Sequence, residues 1–118
     1  MFTIHLHQLD FFGRHGFFDE EEIVGNNFEV SVDIRLDDSI SVSELGHTLD
    51  YVSAYQVIKN EMGKTEKLLE VLCERICNQI HQKDHRVASV YISIFKKNIP
   101  IPACIGKIGV SLTKNFIS

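Results

Sequence analysis

The sequence has no tryptophan, only two prolines and only three cysteines in 118 residues. Three cysteines cannot all pair within one chain, and Cys73, Cys77 and Cys104 are too scattered for a zinc-ligand spacing. A reduced, cytoplasmic protein is therefore expected. No apolar run approaches the ~20 residues that span a bilayer, so no membrane partner is expected. Positive charge is not in excess either: 12 Lys and Arg stand against 16 Asp and Glu, a net charge of -4. A nucleic-acid partner, which would need a basic patch, is not expected. The chain also lacks a Gly-x-Ser-x-Gly elbow and a glycine-rich phosphate loop, so nucleophilic catalysis and nucleotide binding have no positive signal. What it has is 44% hydrophobic and 24% charged residues, enough for a core in one domain, 1–118.

The hydrophobic pattern gives an α+β order, β-β-α-α-β-β. Residues Met1 to His7 alternate apolar and polar, and Phe2 to Phe12 reads as a strand with Ile4 and Leu6 on one face and His5 and His7 on the other. A turn follows at Phe12-Gly13-Arg14-His15-Gly16-Phe17, then an acidic run, Asp19-Glu20-Glu21-Glu22. Phe28, Val30, Val32, Ile34 and Leu36 alternate with polar residues and mark a half-buried strand. Asp37 to Asp50 has no sustained period and reads as a loop. Ser53-Ala54-Tyr55-Gln56 has capping-box form and opens a helix that Gly63 stops. A second helix begins near Glu66, with Leu69, Leu72, Cys73, Ile76, Cys77 and Ile80 as its apolar stripe. Strands over Val87–Lys96 and Ile108–Thr113 bracket a proline loop, Asn98-Ile99-Pro100-Ile101-Pro102. Both helices are expected on one face of a four-stranded antiparallel sheet whose open edges invite pairing with further copies. Edge-to-edge joining into a closed barrel would remove those edges, so a homo-oligomer is expected.

Ionisable residues at the ends of elements are the candidates for chemistry. His5 and His7 share a strand face, but spacing supplies no third metal ligand, so no metal site is expected. Lys96 continues the inward set Val90, Ile92 and Ile94; there a lysine either snorkels or acts as a partly desolvated base. Glu70 belongs on spacing to a solvated stripe, Glu66-Glu70-Glu74, near the start of the second helix. Tyr51 precedes the first helix, where a buried tyrosine with a satisfied hydroxyl is the default. Glu21 sits in the acidic run, which by itself reads as solvent-facing.

Taken together, these segments resemble the dihydroneopterin aldolase family. The likeness rests on Phe12-Gly13-Arg14-His15-Gly16-Phe17 and on Glu21 four residues before Gly25. It continues with Thr48-Leu49-Asp50-Tyr51, Leu68-Leu69-Glu70-x-Leu72-x-Glu74-Arg75-Ile76, and Lys96 ahead of Pro100-Ile101-Pro102. The chain departs from the family at Asn26, where glutamine is usual, at the second lysine Lys97, and at Cys104.

The resemblance implies the tunnelling fold, with sheets joined into a barrel and a tetramer or octamer whose sites lie between subunits. It implies a cofactor-free, metal-free retro-aldol cleavage of 7,8-dihydroneopterin, a pterin, in folate biosynthesis, with 2′-epimerisation as a possible side activity. Lys96 and Tyr51 would move protons. Glu70 would hold the pterin ring together with the backbone of Leu69, Leu49 and Tyr51. Glu21 would come from the adjacent subunit. Two alternatives stand beside this one: a dihydroneopterin triphosphate epimerase, for which Arg14, Lys97 and Lys107 would be the extra cations, and a non-catalytic pterin-binding module.

Overall fold

The computed structural model describes residues 2–37, 50–99, 101–103 and 105–116. Strands β1 (Thr3–Gly13), β2 (Asn26–Leu36), β3 (Val87–Lys96) and β4 (Ile108–Asn115) form one antiparallel sheet in the order β1-β2-β3-β4. Helices α2 (Tyr51–Met62) and α3 (Leu69–Lys83) cover one face, α2 against β1 and α3 against β3 and β4.

The alternation in β2 explains this arrangement. Phe28, Val30, Val32, Ile34 and Leu36 are all fully buried, facing Ile58, Leu72, Ile76 and Ile80 from the helices. Each such side chain contributes about 1.5–3 kcal/mol on leaving water, so the central strand anchors the core. Cys73 and Cys77 lie inside that core, and burial pushes both thiols up to about 12, so they act as packing groups.

Four local features differ from the sequence expectation. The acidic run is a short helix, α1 (Asp19–Val24), closed where the Gly25 N–H donates to the Glu21 carbonyl at 2.9 Å. Gly25 sits at φ 76°, a left-handed conformation that favours glycine. The cap of α2 is Asp50 and not Ser53: its carboxylate accepts the Ser53 N–H at 2.7 Å, which holds Asp50 below its ordinary pKa. α3 starts at Leu69 rather than near Glu66.

The fourth feature is a bulge in β1. Leu6 pairs with Val32 and Leu9 with Val30, so β1 carries one extra residue between them, with Gln8 at φ 56°. The bulge resets the strand's parity. Ile4 and Leu6 face the helices before it, and Leu9 and Phe11 pack on the same core after it.

Candidate active site

The site is built on the glycine-flanked turn between β1 and α1. His15 is fully buried there; its Nε2–H donates to the Met62 carbonyl at 2.8 Å, and its Nδ1 accepts the Glu66 N–H at 3.1 Å. A Cβ on Gly13 would lie 2.6 Å from the His15 ring, so only glycine lets the imidazole fold under the strand. The Gly16 N–H adds a bond to the Glu66 carbonyl at 3.0 Å, so the turn is stapled to the α2–α3 connection. Arg75 ties the same connection to the helices, donating to buried Glu61 at 3.1 Å and to Glu66 at 2.8 Å.

This pairing needs a neutral imidazole, because protonated Nδ1 would be a donor facing another donor. Burial lowers the His15 pKa from its ordinary 6.5; the Met62 bond opposes this, the Arg75 charge adds to it and Glu66 opposes it. The unfolded chain therefore takes up this proton more readily. His15's contribution to stability is complete above about pH 6.5 and is lost as pH falls through its lower folded value. Urea midpoints measured at about pH 7.5 and about pH 5 should fall more steeply for the native chain than for His15→Gln, whose amide does not titrate. Parallel losses would remove His15 from the acid response.

The turn folds α1 back over the end of β3. Gly16, at φ 152°, has no Cβ; one built there would lie 2.4 Å from the Glu21 carboxylate. The open space lets Glu21 accept a hydrogen bond from Lys96 Nζ, with the two side chains only 10% and 14% exposed. The expectation that Glu21 approaches Lys96 from a neighbouring subunit is thus corrected: the two meet within one chain, because the turn returns α1 to its own sheet.

Strand parity separates the two consecutive lysines. Lys97 points to the opposite face and pairs with Asp10; that bond raises its pKa. Beyond them, the Asn26 side chain donates to the Asn98 carbonyl at 2.6 Å and accepts the Asn98 N–H at 3.1 Å, fixing the chain as it leaves β3.

Between the turn, α3 and the β3–β4 ends lies a cleft of about 320 Å³, lined by Gly16, Phe17, Leu69, Glu70, Lys96 and Val110 among others. Glu70 is exposed in the first turn of α3, and its carboxylate has no hydrogen-bond partner among the described residues. Leu68, the residue capping α3, makes no side-chain cap, so first-turn N–H groups are open to a ligand. The Leu69 side chain is buried, so it is its backbone that is available to the cleft.

The structure thus brings Lys96, Glu21, Glu70 and Leu69 together. It does not bring Tyr51 to them. Tyr51 stands at the start of α2, 69% exposed and outside this cleft, contrary to the expected buried tyrosine. Leu49 lies outside the described residues. The positioning parts of His15 and Gly16 were missed in the sequence, where the pair of flanking glycines was their only signal.

The family profile described as dihydroneopterin aldolase matches residues 4–113. The chain belongs to the dihydroneopterin aldolase family. It is therefore a lyase that cleaves dihydroneopterin in folate biosynthesis. A dihydroneopterin aldolase of Bacillus subtilis is 30% identical over 117 residues, covering 97% of this chain and 98% of the relative. The crystal structure of Escherichia coli dihydroneopterin aldolase in complex with neopterin superposes with a TM-score of 0.80 at 15% identity, over 98% of this chain and all of that one (100%). A dihydroneopterin aldolase from Burkholderia thailendensis bound to guanine gives a TM-score of 0.72 at 19% identity, over 96% and 89% of the two chains. At these identities the two structures establish the shared fold.

Proposed function

We propose that the chain carries out this cleavage on free 7,8-dihydroneopterin without metal or Schiff base, yielding 6-hydroxymethyl-7,8-dihydropterin and glycolaldehyde. The observation that carries the reading is the cleft holding Lys96, backed by Glu21, beside Glu70, whose carboxylate has no partner among the described residues. The bond to be broken joins C1′ and C2′ of the side chain, and C1′ is attached to carbon 6 of the pterin, whose conjugated C6–N5 imine accepts the electron pair. The substrate is its own electron sink, and the protein has only protons to move.

Lys96 acts as proton donor and acceptor, working through water toward the 2′-hydroxyl and N5. Glu70 takes the 2-amino group and N3–H of the pterin on its two carboxylate oxygens, as a carboxylate takes a guanidinium. Guanine has the same paired donors on its pyrimidinone ring, and the complex of the Burkholderia relative supports this mode of recognition. First-turn N–H groups of α3 at Leu69, and the backbone of Leu49 and Tyr51, complete the ring's edges.

Tyr51, exposed and not among the residues that line the Lys96 cleft, supports a site completed by a neighbour. Copies pairing their sheet edges in a barrel, as a tetramer or octamer in the tunnelling fold, bring Tyr51 of one subunit to the cleft of the next. There its hydroxyl returns a proton to the side-chain carbon. Chains carrying Tyr51→Phe and Lys96→Met should then complement: in an equal random mixture about a quarter of junctions regain both native groups. Chains carrying Glu21→Gln and Lys96→Met should not, because Glu21 and Lys96 of a cleft come from the same chain and every cleft in the mixture therefore keeps one of the two lesions. An active monomer, or complementation of the second pair, would refute this assembly.

The cations that a triphosphate would call on are engaged. Lys97 pairs with Asp10, Lys107 pairs with Glu29 at 2.5 Å, and Arg14 donates to the carbonyls of Glu22 and Ile23. This favours unphosphorylated neopterin. Product analysis on dihydroneopterin and on its triphosphate tests the choice. Glycolaldehyde should appear from the first, and faster turnover of the triphosphate to its 2′-epimer would overturn it.

A further inference from the structure

A second constellation lies apart from the cleft, on the sheet face turned away from α2 and α3. His5 Nδ1 is 2.5 Å and His7 Nε2 is 2.6 Å from the same oxygen, Asp33 Oδ1. Spacing along β1 supplied two histidines; the fold supplies the carboxylate. Sheet register sets His5 directly opposite Asp33. In an unbroken ladder His7 would face Ser31, but the bulge puts Gln8 there, its N–H donating to Ser31 Oγ at 2.9 Å. His7 is left free to turn back over Asp33, its ring edge-on to that of His5 at 5.2 Å.

We propose that His5, His7 and Asp33 form a site for one divalent transition-metal ion of the zinc class per chain. Two imidazole nitrogens and a carboxylate oxygen are donors that zinc takes at about 2.0–2.2 Å, and nitrogen-rich sets of this kind favour such ions over magnesium or calcium. Three ligands at that length around a tetrahedral ion stand roughly 3.4 Å apart. All three donor atoms here already lie within 4.8 Å of one another. Opening the two short contacts by under about 1 Å is a matter of side-chain rotation. The histidine side chains are 60% and 54% exposed, which leaves an entry path and a fourth position for water.

The site is distinct from the cleft. Asp33 pairs with Tyr91 on β3, and Lys96 is five residues further along that strand and points to the other face. At ~3.3 Å per residue the separation is roughly 16 Å. Metal held there takes no part in the cleavage proposed above, and binding can be read without turnover.

The test is calorimetric titration of the chelator-treated, full-length protein with zinc chloride, followed by cobalt(II) absorption spectroscopy. One ion per chain is expected. His7→Ala and Asp33→Asn should each weaken binding at least ~10-fold, with circular dichroism unchanged because these side chains are outside the core. A His81→Ala/His85→Ala double variant, which removes the other close histidine pair, should bind zinc as the native chain does. Absence of stoichiometric binding, or equal affinity in His7→Ala and the native chain, overturns the proposal.

Discussion

Lys96→Met is expected to lower turnover of dihydroneopterin by ~10²–10⁴-fold, the usual contribution of a positioned acid–base group, with pterin affinity changed far less. Methionine keeps most of the side chain's length and apolar stem but carries no proton. The variant also strips Glu21 of its partner in a nearly buried position, so some of the loss is structural. A Glu21→Gln/Lys96→Met double variant relieves the stranded charge and should recover stability but not rate. Tyr51→Phe should differ in kind. It slows the later protonation, so glycolaldehyde release outpaces formation of 6-hydroxymethyl-7,8-dihydropterin in rapid-quench time courses. If Lys97→Met abolished cleavage and Lys96→Met did not, the assignment would pass to the lysine on the other face, against the Lys97–Asp10 pairing.

Glu70→Gln should weaken binding of a pterin product analogue by about 2–4 kcal/mol, the range for breaking a buried charge-assisted pair. Glu70 is exposed in the free chain, so this range applies once ligand, and in the proposed ring a neighbouring subunit, cover it. The amide would lose the charge and aim a donor at a donor. Two purines separate recognition from general damage. The variant should lose affinity for guanine, which offers both donors, and lose much less for hypoxanthine, which lacks the 2-amino group. Calorimetry showing equal losses for both would return Glu70 to a solvated stripe.

Where one periodicity decided the outcome, the sequence was a sufficient guide. β2 follows the period-two alternation, the inward set Val90, Ile92 and Ile94 of β3 is fully buried, and the buried stripe of α3 is the set read from its spacing. The misses share a different cause. α1 has no buried residue and so left no apolar period to detect. Asp50 outcompeted Ser53 because capping depends on which side chain meets the free N–H, and several polar residues in that stretch are eligible. The bulge at Gln8 shows in the sequence only as a shift of the apolar set from Ile4 and Leu6 to Leu9 and Phe11, and the register against the partner strand shows that one extra residue causes it. Lys96 was legible as an inward lysine. Its contact with Glu21 was not, because it depends on the missing side chain of Gly16, 5 residues before Glu21 and 80 before Lys96.

The sheet's order is the chain's order, and all its neighbours are antiparallel. Thr3 pairs with Arg35 at one end of the sheet, and Asn115 pairs with Ser89 at that same end. In the proposed ring, where the β4 edge of one copy would meet the β1 edge of the next, the finish of one repeat and the start of its successor would therefore be hairpin neighbours. A designed loop of about 2–5 residues, the ordinary length for joining adjacent antiparallel strands, would bridge them. The proposed ring could thus be encoded as one tandem polypeptide, in which each cleft is separately addressable and a single lesion can be written into a chosen junction while the others stay native.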